Sequence, residues 1–256
     1  MASIKKNRSI FTDKLRMMKR TGLIGGISWH ATLKYYQLIN QQVNEHFGDN
    51  TNPPLLIYNI NQSKMHQLQK QDDWAAIAEM VYHGVHALLQ AGAETLVICS
   101  NTTHKVVPMI KGRVEKPILH IGDATAKYII SLGLKKVGFI GTRFAMEDHF
   151  LLDHIRAFEI DVLVPENAAT ILELHRIIHE ELTYNKVTET SIAFVQREIA
   201  KMQEEGIEGV ILGCTEYSLM FEHVELEIPV LDTVAIHAEN VVSEILSGVE
   251  GSDEKF

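Results

Sequence analysis

KRTGLIGG at residues 19–26 is echoed by KKVGFIGT at residues 135–142, and the reading of these two stretches decides the fold. Each is a short aliphatic run that stops at glycine, the form of a buried parallel strand ending in a tight turn. Two more landmarks repeat in the same order. GAETLVICSNT (92–102) pairs with GIEGVILGCTE (206–216), and EKPIL (115–119) pairs with EIPVL (227–231). Gly22 to Gly92 spans 70 residues, and Gly138 to Gly206 spans 68. Each match is weak alone; three in order at near-constant spacing indicate a duplicated unit.

Between the strand-like runs lie amphipathic stretches of helical period. SWHATLKYYQLINQQVNEHF places Tyr36, Ile39, Val43 and Phe47 at helical spacing behind Ser28, a plausible N-cap. PLLIYNI reads as strand, DWAAIAEMVYHGVHALLQAG as helix with Gly92 near its end, and ETLVIC as strand again. Strands alternating with helices predict an α/β protein of two pseudo-symmetric lobes, each a mostly parallel sheet flanked by helices. The expected organisation is a basic leader over 1–17, a first lobe over 18–118 with a C-terminal return at 230–248, a second lobe over 119–229, and a tail at 249–256. Ligands of such sheets sit beyond the carboxyl ends of the strands, so a cleft faced by both lobes is the expected active site.

The chain holds two cysteines, Cys99 and Cys214, both at such strand ends. Aligning Gly92 with Gly206 sets Glu94 on Glu208, Val97 on Ile211, Cys99 on Gly213 and Ser100 on Cys214. A one-residue offset turns a strand side chain to the other face. Cys99 is therefore expected in the core, and Ser100 is the partner of Cys214.

Composition narrows the function. Of 256 residues, 46% are hydrophobic and 22% charged, an ordinary soluble, globular balance. A net charge of −9 argues against a general nucleic-acid binder, yet a buried pocket sets its own field and can still take an acidic ligand. No run approaches the ~18–20 apolar residues of a membrane span. Two distant cysteines form no disulfide framework and no CxxC pair, which fits a reducing cytoplasm. The first 20 residues carry Lys5, Lys6, Arg8, Lys14, Arg16, Lys19 and Arg20 against Asp13, without the apolar segment of a secretory signal. GLIGGIS has neither the GxGxxG nor the GxxxxGK[ST] spacing of a phosphate loop. Neither the IIH at 177–179 nor His237 has metal-ligand company in sequence, so no metal site is expected.

Three motifs together, GLIGGISW, SNTTHK and GCTE, resemble the aspartate/glutamate racemase family of cofactor-independent amino-acid racemases, over about residues 18–247. The resemblance implies a two-lobe fold, no cofactor, and an acidic amino acid as substrate. Its usual members carry one cysteine before an Asn-Thr pair and a second in Gly-Cys-Thr. Here those positions are Ser100, before Asn101 and Thr102, and Cys214, before Thr215 and Glu216, so the chain departs from the two-cysteine pattern. A homodimer is the expected assembly.

Racemisation needs one group to take the α-proton from one face and another to return a proton to the opposite face. Cys214 and Ser100 are the candidates, with the thiol expected to be activated by free N–H groups and the positive end of a following helix. Serine is a far weaker acid and base, and His104 is a sequence-local candidate to relay its proton. Asn101, Thr102, Thr103 and Thr215 are expected to bind substrate. Arg143, at the end of the strand that mirrors GLIGG, is the first choice for a side-chain carboxylate, ahead of Lys64 and Lys186. Glu216 is read either as a partner of the substrate ammonium or as a structural hydrogen-bond partner. A single-cysteine decarboxylase of malonate-type acids and a non-catalytic amino-acid-binding protein are the alternative readings.

Overall fold

The computed structural model describes residues 18–221 and 224–250. The basic leader and most of the tail lie outside these residues. The chain divides into two compact units. One holds the chain up to Cys99, then Val106–Leu119 and the chain from Ala238; the other holds Ser100–Lys105 and His120–His237.

The first unit contains β1 (Thr21–Gly25), α1 (Trp29–Phe47), β2 (Leu55–Asn59), α2 (Gln62–Lys70), α3 (Trp74–Gln90), β3 (Thr95–Ile98), the short α4 (Val107–Ile110) and β4 (Ile118–Leu119). The second contains α5 (Ile121–Ser131), β5 (Lys136–Ile140), α6 (Arg143–Glu147), α7 (Phe150–Arg156), β6 (Asp161–Leu163), α8 (Ala168–Arg176), α9 (Glu189–Glu204), β7 (Val210–Leu212), α10 (Tyr217–Phe221) and β8 (Val230–Asp232). A last helix, α11 (Thr233–Glu250), begins in the second unit and ends in the first.

Each unit has its own four-stranded sheet, ordered β2-β1-β3-β4 in one and β6-β5-β7-β8 in the other. Every strand pairing in both is parallel. The α/β architecture with parallel sheets flanked by helices is thus the one anticipated from the alternating pattern. β1 and β3 are buried along their whole length, as strands covered on both faces must be, whereas the edge strand β2 is largely exposed.

The repeat holds hydrogen bond by hydrogen bond. Gly22 pairs with Leu96 as Gly138 pairs with Val210, and Leu96 pairs with Ile118 as Val210 pairs with Val230. Beyond the last paired residues, Cys99 N–H donates to Ile24 O (3.0 Å) and Gly213 N–H to Ile140 O (2.8 Å). The aligned glutamates do one job: Glu94 Oε2 accepts from Arg20 N–H (2.8 Å), and Glu208 Oε2 from the N–H groups of Lys135 (2.6 Å) and Lys136 (3.0 Å). These backbone donors hold the Glu208 carboxyl below its ordinary range.

Ser28 caps α1 as expected, its hydroxyl accepting from Ala31 N–H at 3.3 Å. The buried face differs from the expectation. Tyr35, Ile39 and Val43 are fully buried, while Tyr36 is 46% exposed. Residues 31, 35, 39 and 43 form one row four apart, and Tyr36 lies about 100° around the helix from its neighbour Tyr35. Burial of each large side chain in that row contributes about 1.5–3 kcal/mol.

Cys99 is fully buried, as the register argument required. Its counterpart Gly213 faces a different neighbour, since a Cβ there would lie 2.0 Å from Phe139 Cζ. Phe139 stands where the first unit has Leu23, so the larger ring fills volume that a side chain at 213 would need. Gly213→Ala should therefore cost about 1–3 kcal/mol by overpacking, read as a Tm loss of about 2–4 °C per kcal/mol. Combining it with Phe139→Leu should recover most of that loss. An unchanged Tm in the single variant would refute the volume argument.

Candidate active site

Strand β7 ends at Leu212, and the chain turns through Cys214, Thr215 and Glu216 into α10. The turn is closed by Tyr217 N–H to Cys214 O (3.2 Å), Ser218 N–H to Thr215 O (3.3 Å) and Leu219 N–H to Glu216 O (3.2 Å). Cys214 is half-buried and is a free thiol. Its S–H donates to Glu216 Oε2 at 2.9 Å, and Thr215 O–H donates to the same oxygen at 2.6 Å.

This arrangement reverses the expected tuning of the thiol. Burial, the Glu216 charge and the S–H bond to Glu216 push the Cys214 thiol well above its ordinary range, outweighing the N–H groups of Glu216 and Thr215. α10 is only five residues long, so its positive end does little against an adjacent carboxylate. At neutral pH the sulfur carries its proton and faces a carboxylate able to accept it. Removing the Glu216 charge should bring the thiol down. Glu216→Gln is expected to shift the pH midpoint of iodoacetamide alkylation of Cys214 to lower pH; a midpoint that stays put or rises would contradict this.

Ser100 takes the equivalent position, two residues beyond the end of β3. Its Oγ accepts from Thr103 N–H (3.3 Å) and Thr103 O–H (3.1 Å) at the start of the 3₁₀ turn Thr102–Val106. Both donors would stabilise negative charge on that oxygen. His104 serves the backbone rather than the hydroxyl. Its Nδ1–H donates to Ser100 O (2.7 Å), and its Nε2 accepts from Ile121 N–H (3.3 Å), which fixes the neutral tautomer. Both ring nitrogens are thereby engaged away from Ser100 Oγ, which argues against the relay role.

Asn101 connects the two segments. Its Nδ2 donates to Thr233 Oγ1 (2.9 Å), and Thr233 O–H donates to Leu212 O (2.8 Å), two residues before Cys214. Asn101 is 5% exposed, and among the described residues its Oδ1 has no hydrogen-bond donor. A buried acceptor in that state costs about 1–3 kcal/mol unless a donor reaches it.

Of the remaining expected contacts, Thr103 is fully buried and directed at Ser100, while Thr102 and Thr215 are half-buried. Arg143 opens α6, is half-buried, and pairs with Glu147 at 3.2 Å across one helical turn. Such a pair contributes only a few tenths of a kcal/mol, so another carboxylate can replace it. Arg143 N–H donates to His175 Nδ1 (3.3 Å). Burial, with His179 and Arg143 nearby, lowers His175 to about 4, so it stays neutral. Lys64, bonded to Gln67 (3.4 Å), and Lys186 are exposed.

Sequence reasoning missed Thr233. Extending the EKPIL/EIPVL alignment by two residues would have flagged the junction, because it sets His120 on Asp232. Both cap the helix that follows: His120 Nδ1 accepts from Gly122 N–H (3.1 Å), and Asp232 Oδ1 from Val234 N–H (2.9 Å) and Ala235 N–H (3.3 Å).

The family model for the Asp/Glu/Hydantoin racemases matches residues 24–241. The chain belongs to this family. Among solved structures, it is similar to a candidate Asp/Glu racemase from Yersinia pestis, with 38% identity, 90% of this chain and 100% of that one covered, and a TM-score of 0.84. An aspartate racemase homologue from Pyrococcus horikoshii OT3 shows 34% identity, 89% and 99% coverage, and a TM-score of 0.79. The glutamate racemase of Lactobacillus helveticus is 28% identical over 146 residues, 56% of this chain and 52% of that protein. The match thus spans about half the length of this curated relative. Among the described residues, no helix is long and apolar enough to cross a membrane.

Proposed function

We propose that this protein racemises an acidic amino acid, aspartate or glutamate, without a cofactor, using Cys214 on one face of the α-carbon and Ser100 on the other. The observation that carries the reading is the Cys214 S–H bonded to the Glu216 carboxylate at 2.9 Å, at the strand end equivalent to the one bearing Ser100. Proton transfer to Glu216 turns the thiol into the base that removes the α-proton. The protonated thiol is the acid that returns a proton in the reverse direction. Ser100, with two Thr103 donors on its oxygen, serves the opposite face directly or through water.

Substrate binding follows from the neighbouring groups. The donor-less Oδ1 of Asn101 would accept from the substrate ammonium. Thr102, Thr215 and the free backbone N–H groups of both turns would hold the α-carboxylate, which lowers the acidity barrier of a carbon that has no electron sink. Thr103, expected from the sequence to share this role, is fully buried with both donors on Ser100 Oγ and would act on that oxygen instead. Arg143 would exchange Glu147 for the side-chain carboxylate. Two cysteines left as free thiols suit a cytoplasmic enzyme, and we place it there as a homodimer.

The test is proton NMR in D₂O with L- and D-aspartate and L- and D-glutamate. Loss of the α-proton signal together with appearance of the other enantiomer is the expected result. Cys214, the one thiol among the proposed site residues, also suits decarboxylation of a substituted malonate. Turnover of malonates without any α-proton exchange would replace the racemase reading with that one. Saturable amino-acid binding with neither reaction would leave a binding protein.

A further inference from the structure

Helix α5 begins beside a cluster that the proposed reaction does not use. His120 is its N-cap, Asp123 lies in its first turn, and His154 projects from α7. The two imidazoles stack with centroids 3.9 Å apart and planes 19° from parallel. His154 Nε2 lies 2.5 Å from Asp123 Oδ1. One ligand atom from each of the three residues falls within 4.8 Å of the others. The backbone between them is drawn tight: a Cβ on Gly122 would lie 2.8 Å from His154 Cδ2 and 3.1 Å from His120 Nδ1.

We propose that His120, Asp123 and His154 form a binding site for a divalent transition-metal ion, separate from the Cys214 and Ser100 segments. Metal–nitrogen and metal–oxygen bonds of about 2.0–2.2 Å require donor atoms within about 4.4 Å of each other. The observed set meets this after small side-chain rotations. His154 and Asp123 can make them, being 35% and 44% exposed. Two imidazoles and one carboxylate select zinc, cobalt or nickel over magnesium or calcium, which prefer all-oxygen shells. The exposed side of the cluster leaves the remaining positions to water. Where the metal bonds His120 through Nδ1, one coordinate bond replaces the Gly122 cap hydrogen bond. The bound ion would join the start of α5 to α7, and the His120 ring meets the His104 ring edge-on, at 4.6 Å between centroids.

The experiment titrates the full chain with Co²⁺ and, separately, follows its Tm in Zn²⁺. The expected result is one equivalent of Co²⁺ with visible d–d bands and no thiolate charge-transfer band, and a Tm that rises with Zn²⁺. His154→Gln and Asp123→Asn should each weaken binding about tenfold or more while leaving the circular dichroism unchanged and lowering the metal-free Tm by no more than about 2–4 °C, the loss of one partly exposed pair. His175→Gln, in the pair His175 forms with His179 at 4.3 Å between ring centroids, should bind as wild type. A thiolate band would place the ion on Cys214 and overturn the proposal. So would affinity unchanged in both site variants, or no binding at millimolar metal.

Discussion

Replacing Cys214 by alanine should lower kcat/KM for racemisation about 10²–10⁴-fold, the usual contribution of a positioned acid–base group, and should cut α-proton exchange by as much from the enantiomer whose proton Cys214 removes. Substrate affinity should change little, because the thiol acts on the proton and not on the carboxylates. The environment sets a second expectation. Burial and the Glu216 carboxylate hold the Cys214 thiol well above its ordinary range. The thiolate fraction is therefore small at neutral pH, and kcat/KM should climb as pH rises through the alkaline region until the thiol has ionised. A rate that falls over that range would mean that the protonated sulfur, not the thiolate, governs the step. Racemisation retained in Cys214→Ala would remove the thiol from the mechanism altogether.

Ser100 variants should separate exchange from racemisation. In Ser100→Ala, Cys214 still removes the α-proton on its own face, so that enantiomer takes up deuterium while its conversion to the other falls about 10²-fold or more. Equilibrium constrains the pattern: the two enantiomers are equal in free energy, so kcat/KM for racemisation must fall equally from both sides. Ser100→Cys should act in the opposite direction. Its sulfur would take the Thr103 N–H and O–H donors that now reach Ser100 Oγ, and a thiol with an ordinary pKa of about 8.5 is a far better acid and base than a hydroxyl. A kcat at least tenfold above wild type would support Ser100 as the second base. Racemisation unaffected by Ser100→Ala would reduce the residue to the cap of the turn that follows, at a cost of about 1 kcal/mol.

The repeat was legible because both halves solve the same local problems with the same residue types. Glu94 and Glu208 each satisfy the N–H groups at the start of a strand, and Cys99 and Gly213 occupy one ladder position. The face of α1 was misjudged by one residue, since Tyr35 and Tyr36 are both large and aromatic and only the partner surface distinguishes them. The expected activation of Cys214 failed for a related reason. Loop position suggested a positive helix end, but the dominant influences are burial and a carboxylate two residues on, whose side chain turns back onto the sulfur.

Local pattern in the sequence determined the α/β class, the parallel strands, the duplication and the pairing of Ser100 with Cys214. Strand period and turn chemistry are short-range properties, and an internal copy lets one half check the other. Tertiary structure alone decided what surrounds those residues. It directs Cys214 at Glu216, turns both nitrogens of His104 to the backbone, joins Asn101 through Thr233 to Leu212, and sets His154 against His120 and Asp123. Most of these contacts join residues far apart in the chain, and all depend on side-chain direction and burial, which no spacing rule encodes.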